Sequence, residues 1–266
     1  MRSSLMVLLG LTLGVMAQEA KKPAANKDAP VLIMARPLTL TPGFKGKVTL
    51  VGIRLNDVTE VSSTTPGLTV KMAGKPRAIG VPQNYLKEKA GDGEIDVEVE
   101  LKPGTTPASV ALIAKGAKGT SEPFMVTVDG TTTITEKEPN DTFAQAQEIT
   151  VPTLTNGSIH QVRDTDVFRF TGKTGETIRV EVHAAKYGSP ADLMLTLYDA
   201  DRRILASCDD VGGLPDPTLV LTLPRDGTYF LSVIEAHDVG GPNFLYRMSL
   251  QRGKEGSKKP ASPSAN

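Results

Sequence analysis

"IDVEVEL", residues 95–101, places Ile95, Val97, Val99 and Leu101 on one side of the chain and Asp96, Glu98 and Glu100 on the other. Strict alternation of this kind has the two-residue period of a strand with one face buried and one wetted. The pattern recurs at Val48 and Leu50, at Ile178, Val180 and Val182, and at Leu193, Leu195 and Leu197. It appears again at Leu219, Leu221 and Leu223, and at Tyr229, Leu231 and Val233. Turn clusters such as "PGFKG", "KPGTTP", "TGKTGE" and "PRDGTY" separate these segments. Short strands punctuated in this way predict an all-β protein of antiparallel sandwiches. One helical turn is expected, in "DTFAQAQEI", with Asp141 or Thr142 as its cap and Phe143 and Ala146 turned inward.

The length allows two cores. The strand "PFMVTVDG" ends at Gly130 and a polar "TTT" follows, so the expected domains are 30–130 and 131–251. At the N-terminus, Arg2 precedes an apolar run from Leu5 to Val15 that ends in Val15-Met16-Ala17. These are the parts of a secretory signal peptide over residues 1–17. Residues 18–29 read as a flexible lead-in and residues 252–266 as a disordered tail, both too polar to offset chain entropy. No later stretch is long and apolar enough to span a bilayer. The protein is therefore expected to be exported, to the periplasm, the cell surface or the medium.

Thirty basic residues oppose thirty acidic ones, which removes the electrostatic footprint of a nucleic-acid binder. Cys208 is the single cysteine, so no internal disulfide is available and each domain depends on its apolar core and any bound metal. No HExxH or GxSxG occurs among the motifs of a hydrolase. Ser158 and His160 lie two apart in an expected strand, which puts them on one face without an oxyanion loop. His183 reads as a solvent-side strand residue and His237 as part of a turn. Asp209 and Asp210, which follow Cys208, read as a turn and would raise its thiol pKa rather than activate it. No enzyme activity is expected, and the alternative is a hydrolase fragment whose site the motifs do not reveal.

Between the expected domains stands "TEKEPNDT", residues 135–142, in which Glu136, Glu138, Asn140 and Asp141 crowd into six positions. Such a run is either a solvated linker or the ligand set of a hard cation. Alternate side chains of an extended segment share a face, so Glu136, Glu138 and Asn140 are able to converge, as are Asp164 and Asp166 in "RDTDVF".

The wording from Glu136 onward, "EKEPNDTFAQAQEI", "GSIHQVRDTDVFRFTGKTGETIRVEV", "SPADLMLTLYDADRRILASCDD" and "LPRDGTYFLSVIEA", resembles the bacterial pre-peptidase C-terminal domain family. The resemblance implies a jelly-roll-like β-sandwich, found beside secreted peptidases and in exported proteins that lack one, and related to the collagen-binding modules of bacterial collagenases. In those modules an acidic run and a later aspartate pair chelate calcium. The matching positions here are Glu136, Glu138, Asn140, Asp141, Asp164 and Asp166, so the resemblance implies calcium as a bound ion. The first half, with Gly46-Lys47-Val48-Thr49-Leu50, Gly52, Leu55 and Val58, resembles immunoglobulin-like domains of the plexin and transcription-factor type. The function expected is that of a non-catalytic binding or accessory protein. Its partner would be an extracellular or envelope protein or polysaccharide.

Overall fold

Alternating residues bury one face of a pleated strand only if a second sheet covers that face, and the computed structural model supplies that cover twice. It describes residues 26–210, 213 and 215–253. The expected signal peptide, residues 18–25 of the lead-in and residues 254–266 of the tail lie outside the described residues.

The first ten strands are β1 (Val31–Arg36), β2 (Thr39–Leu40), β3 (Lys45–Ile53), β4 (Val58–Ser62), β5 (Leu68–Met72), β6 (Arg77–Ala78), β7 (Gly93–Leu101), β8 (Ser109–Gly116), β9 (Gly119–Thr120) and β10 (Phe124–Val128). They form two sheets: β1-β3-β7-β5, with β6 also on β7, and β2-β10-β8-β4, with β9 on β8. Val48 pairs with Val97 and Leu50 with Ile95, and this face meets Val110, Leu112 and Ala114 of β8 in one core.

The second ten are β11 (Ile134–Thr135), β12 (Gln147–Glu148), β13 (Thr153–Ser158), β14 (Thr165–Gly172), β15 (Thr177–His183), β16 (Leu193–Tyr198), β17 (Ile204–Cys208), β18 (Thr218–Thr222), β19 (Gly227–Glu235) and β20 (Leu245–Arg252). Their sheets are β11-β13-β20-β15-β18 and β12-β14-β19-β16-β17. Phe168, Phe170, Val180, Leu195, Leu231 and Tyr246 meet between them. The molecule is all-β, an immunoglobulin-like sandwich followed by a jelly-roll-like one. Among the described residues, no helix is long and apolar enough to cross a membrane.

Four expectations require correction. The "DTFAQAQEI" segment is a turn followed by β12, not a helix: Gln145 N–H donates to Thr142 O, and Gln147 and Glu148 pair in parallel with Phe168 and Arg169. Sheet pairing outweighs the weak local helix preference of so short a segment. Phe143 then packs edge-on against Tyr198 and Phe230 at centroid distances of 5.1 and 5.2 Å. Arg252 and Gly253 belong to the fold rather than the tail: Arg252 ends β20 and pairs with Glu176, and Gly253 N–H donates to Thr177 O. Described contacts begin at Asn26 rather than Pro30: its amide donates to Lys118 O at 2.6 Å, and Ala29 is buried.

The fourth correction concerns Asp96, expected on a wetted face. It is buried, with Glu94, beneath cations from neighbouring strands. Arg77 reaches Glu94 at 2.6 Å and Asp96 at 2.8 Å, Lys47 reaches Asp96 at 2.7 Å, and Thr49 Oγ1 donates to Asp96 Oδ1 at 2.7 Å. The Arg77 guanidinium, helped by Lys47 and Thr49, holds the Asp96 carboxyl well below the usual carboxylate range. A depressed folded-state pKa stabilises the fold above the unfolded value, about 3.9, and that contribution is lost as pH falls through the folded value. The unfolding free energy of the native chain is therefore expected to decline more steeply below about pH 4 than that of Asp96→Asn. Parallel pH profiles in urea titrations would remove the network from the stability account.

The two sandwiches are docked. Met34, Leu38 and Val51 pack with Tyr187 and Leu245 in a small shared core, and Gly188 (φ +79°) lies so near Ile33 O that any Cβ there would overlap it. Tyr85 donates its hydroxyl to Glu235, and its ring meets Phe244 edge-on at 5.4 Å. Arg247, buried on β20, reaches Asp129 at 3.0 Å and Thr39 Oγ1 at 3.2 Å.

Candidate metal centre

The acidic run enters the second sandwich from β11, where Glu136 N–H donates to Asn156 O and ties the segment to β13. Glu136 Oε1 accepts from Ser158 N–H at 3.0 Å and from Ser158 Oγ at 3.1 Å. Its other oxygen lies 3.1 Å from the Tyr246 hydroxyl, which also reaches Asp166 Oδ2 at 2.7 Å. Gly157 makes this meeting possible, because a Cβ there would overlap the Tyr246 ring and stand 2.5 Å from Glu136 Oε2.

Two residues on, Glu138 Oε2 accepts from Asn140 N–H at 3.1 Å, and Asn140 O accepts from Val167 N–H of β14. That pairing drives the Asn140 side chain inward until it is fully buried. Asp164 and Asp166, at the start of β14, are buried as well. Oxygens of Glu136, Glu138 and Asp166 lie within 4.8 Å of one another, and ligand atoms of Glu138, His160 and Asp164 form a second such group. Of the six residues singled out from sequence, Glu136, Glu138, Asp164 and Asp166 meet in these groups, and Asn140 is buried next to Glu138. Asp141 is exposed and joins neither group, because the Asn140–Val167 bond turns its neighbour inward and Asp141 away.

The electrostatics of this centre are unbalanced. Asn140 Oδ1, Asn140 Nδ2, Asp164 Oδ1 and Asp166 Oδ1 are buried without a hydrogen-bond partner. A buried polar atom left without a partner costs about 1–3 kcal/mol, and more if charged. Burial, and then the negative charge of Glu136, pushes the Asp166 carboxyl up to about 9. Burial also raises Glu136 and, together with Asp166, the Tyr246 hydroxyl. No arginine or lysine is paired with these carboxylates among the described residues, in contrast to Asp96. The donor set is one of hard oxygens with a single nitrogen, and it fits a divalent cation that needs about six to eight oxygen ligands.

Ser158 and His160 face different carboxylates. Ser158 ends β13 on Glu136, and His160 lies beyond the strand with Nδ1 2.8 Å from Glu138 Oε1 and 2.7 Å from Asp164 Oδ2. His160, Ser158 and Tyr246 are the members that sequence reasoning missed. The signal for His160 was its place four residues before Asp164 in the same loop. Elsewhere, His183 lies on the face of β15 away from the core, partly exposed and 3.6 Å from Asp216, and Asp209 and Asp210 gather with Asp192.

The class defined by fold and site is thus a two-sandwich β protein with a carboxylate-rich centre at the entry to its second sandwich. Residues 164–235 match the family model of the bacterial pre-peptidase C-terminal domain. The chain is 43% identical over 99 residues, 36% of its length, to a Deinococcus radiodurans protein named "Probable subtilase-type serine protease". The match spans 14% of that relative. Among solved structures, it is similar to the pre-peptidase C-terminal domain of a collagenase from Bacillus anthracis, with 19% identity, a TM-score of 0.34, and coverage of 44% of this chain and all of that one. It is also similar to a periplasmic inhibitor of g-type lysozyme from Aeromonas hydrophila, with 15% identity, a TM-score of 0.31, and coverage of 41% and 99%.

Proposed function

We propose that this chain is an exported, non-catalytic binding or accessory protein whose second sandwich is locked by calcium. The observation that carries the reading is the set of buried, unpartnered oxygens on Asn140, Asp164 and Asp166 beside the carboxylates of Glu136 and Glu138. When bound, calcium supplies the positive charge these oxygens lack. Glu136 and Glu138 come from the entry segment and Asp164 and Asp166 from the start of β14, so holding one ion staples the entry segment to the sheet. Ser158 and Tyr246 orient Glu136, and the backbone of Val167 positions Asn140.

Export is supported by Arg2 and the apolar run ending at Ala17. The partner class that fits an exported module of balanced charge is an extracellular or envelope protein or polysaccharide, with nucleic acid disfavoured. A non-catalytic role is supported by the commitment of Ser158 and His160 to separate carboxylates. Calorimetric titration of the full chain with calcium chloride is expected to show uptake with release of heat or protons, and capture from envelope material should be calcium-dependent. No calcium uptake would end the metal reading, and hydrolysis of peptide, ester or glycoside substrates that disappears on Ser158→Ala would end the non-catalytic one.

A further inference from the structure

We propose that the second sandwich carries a socket for a tyrosine side chain of a partner protein, and that Tyr85 of the first sandwich occupies it as a stand-in. The inference deepens the binding-protein reading and rests on it. Tyr85 lies on a strap, residues 80–89, in the connection from β6 to β7. Its hydroxyl donates to Glu235 Oε1, and its ring meets Phe244 edge-on at 5.4 Å and His237 edge-on at 6.3 Å. Glu235 is 2% exposed, and its other oxygen is fixed by the backbone N–H groups of His237 at 2.8 Å and Val239 at 2.9 Å. Those two bonds leave Oε1 to the incoming hydroxyl. A buried carboxylate oxygen walled by aromatic edges recognises a ring that ends in an O–H donor. With Tyr85 withdrawn, the His237 ring nitrogen, at 3.5 Å, is the remaining donor near Oε1 among the described residues.

The strap is held by that one side chain. Of residues 80–89, Tyr85 alone makes a side-chain hydrogen bond to the second sandwich among the described residues, and all but Pro82 and Tyr85 are exposed. Val81 is 37% exposed and Leu86 65%, so two large apolar side chains stand in water on either side of the tyrosine. Open space flanks the strap as well. A cavity of about 740 Å³ is lined by Val81, Val162 and Phe244, and another of about 660 Å³ by Leu86 and Ala191. Both reach Asn84, Pro190 and His237, and so they form one groove with the socket within it. A permanent interior contact would be packed without such voids. Apolar walls on both sides of a tyrosine socket fit an extended peptide segment that carries a tyrosine between aliphatic residues. Release of the strap leaves the sandwiches docked, because Met34, Leu38 and Val51 still pack with Tyr187 and Leu245, and Arg247 still reaches Asp129.

The test is a calorimetric titration of the full chain with N-acetyl-L-tyrosinamide. In the native chain Tyr85 competes for the socket, so the apparent affinity is cut by the fraction of molecules whose strap is released. With that state populated at about 1–10%, Tyr85→Ala should bind the probe about 10–100-fold more tightly than the native chain. N-acetyl-L-phenylalaninamide lacks the hydroxyl and leaves Oε1 unpaired, so it should bind Tyr85→Ala at least about tenfold more weakly than the tyrosine probe. Tyr85→Phe keeps the ring and gives up the Glu235 bond; it should also gain affinity, and it serves if the alanine variant fails to fold. In the native chain, saturating probe should speed tryptic cleavage after Lys87 and Lys89, which follow Tyr85 on the strap. Equal binding of the two probes, no gain in either variant, or cleavage unchanged by the probe would each overturn the proposal and leave Tyr85 a fixed plug. Calcium-dependent capture from envelope material without probe binding sinks the socket alone. Probe binding without such capture sinks the binding-protein reading alone.

Discussion

Chelating calcium is expected to lower the melting temperature of the chain by several degrees, with the loss confined to the second sandwich. An ion that binds only the folded state adds stability of RT ln(1 + [L]/Kd), about 2.7 kcal/mol when free calcium is a hundredfold above its dissociation constant. Asp166→Asn and Glu138→Gln remove charge at nearly constant shape and should shrink the response. Asp166→Asn should do so more strongly, because Asp166 is fully buried and Glu138 is partly open to solvent. Asp141→Asn is the informative control: its side chain is exposed and outside both ligand groups, so its response should match that of the native chain. Calorimetric melts with calcium and with chelator that superimpose would reduce the acidic run to a linker. A response abolished by Asp141→Asn would show that the ion sits elsewhere.

Replacing Gly157 by alanine is expected to destabilise the second sandwich by about 1–3 kcal/mol or more even in chelator, because a methyl group would be forced into a filled core. The added carbon would overlap the ring and hydroxyl of Tyr246, which is fully buried and cannot retreat. It would also push Glu136 from the hydroxyl it shares with Asp166, so calcium uptake should fall together with stability. Gly74 has open space around it, and Gly74→Ala is the matching control. Urea denaturation in chelator separates the packing loss from the metal loss. A Gly157→Ala chain within about 0.5 kcal/mol of the native one would mean that the cradle is softer than its geometry indicates.

Much of the fold was legible because side-chain direction along a strand is local. Ile95, Val97, Val99 and Leu101 are all buried, as are Ile178, Val180 and Val182, since successive residues of a pleated strand must point to opposite faces. Where a local rule met a long-range pairing, the pairing prevailed. Gln147 and Glu148 extend along β14 rather than coil, and Asp96 lies under Arg77 because the short strand β6 pairs with β7 and delivers the guanidinium there. Leu221 is only half-buried, because its strand lies at the edge of its sheet.

The candidate centre divides in the same way. Composition and spacing by themselves determined that Glu136, Glu138 and Asn140 are able to share a side, and that Asp164 and Asp166 are too. Only the tertiary structure decided that these two sides face each other, that Asp141 turns away, and that Ser158, His160 and Tyr246 complete the group. Tyr246 stands 110 residues from Glu136 in sequence and its hydroxyl 3.1 Å from the carboxylate in space. The residues in β13 and β20 that face each other depend on the register of that strand pair, in which Gly157 lies opposite Tyr246. Register is set by every pairing and packed side chain of the sheet together, so no window of sequence around either residue contains it.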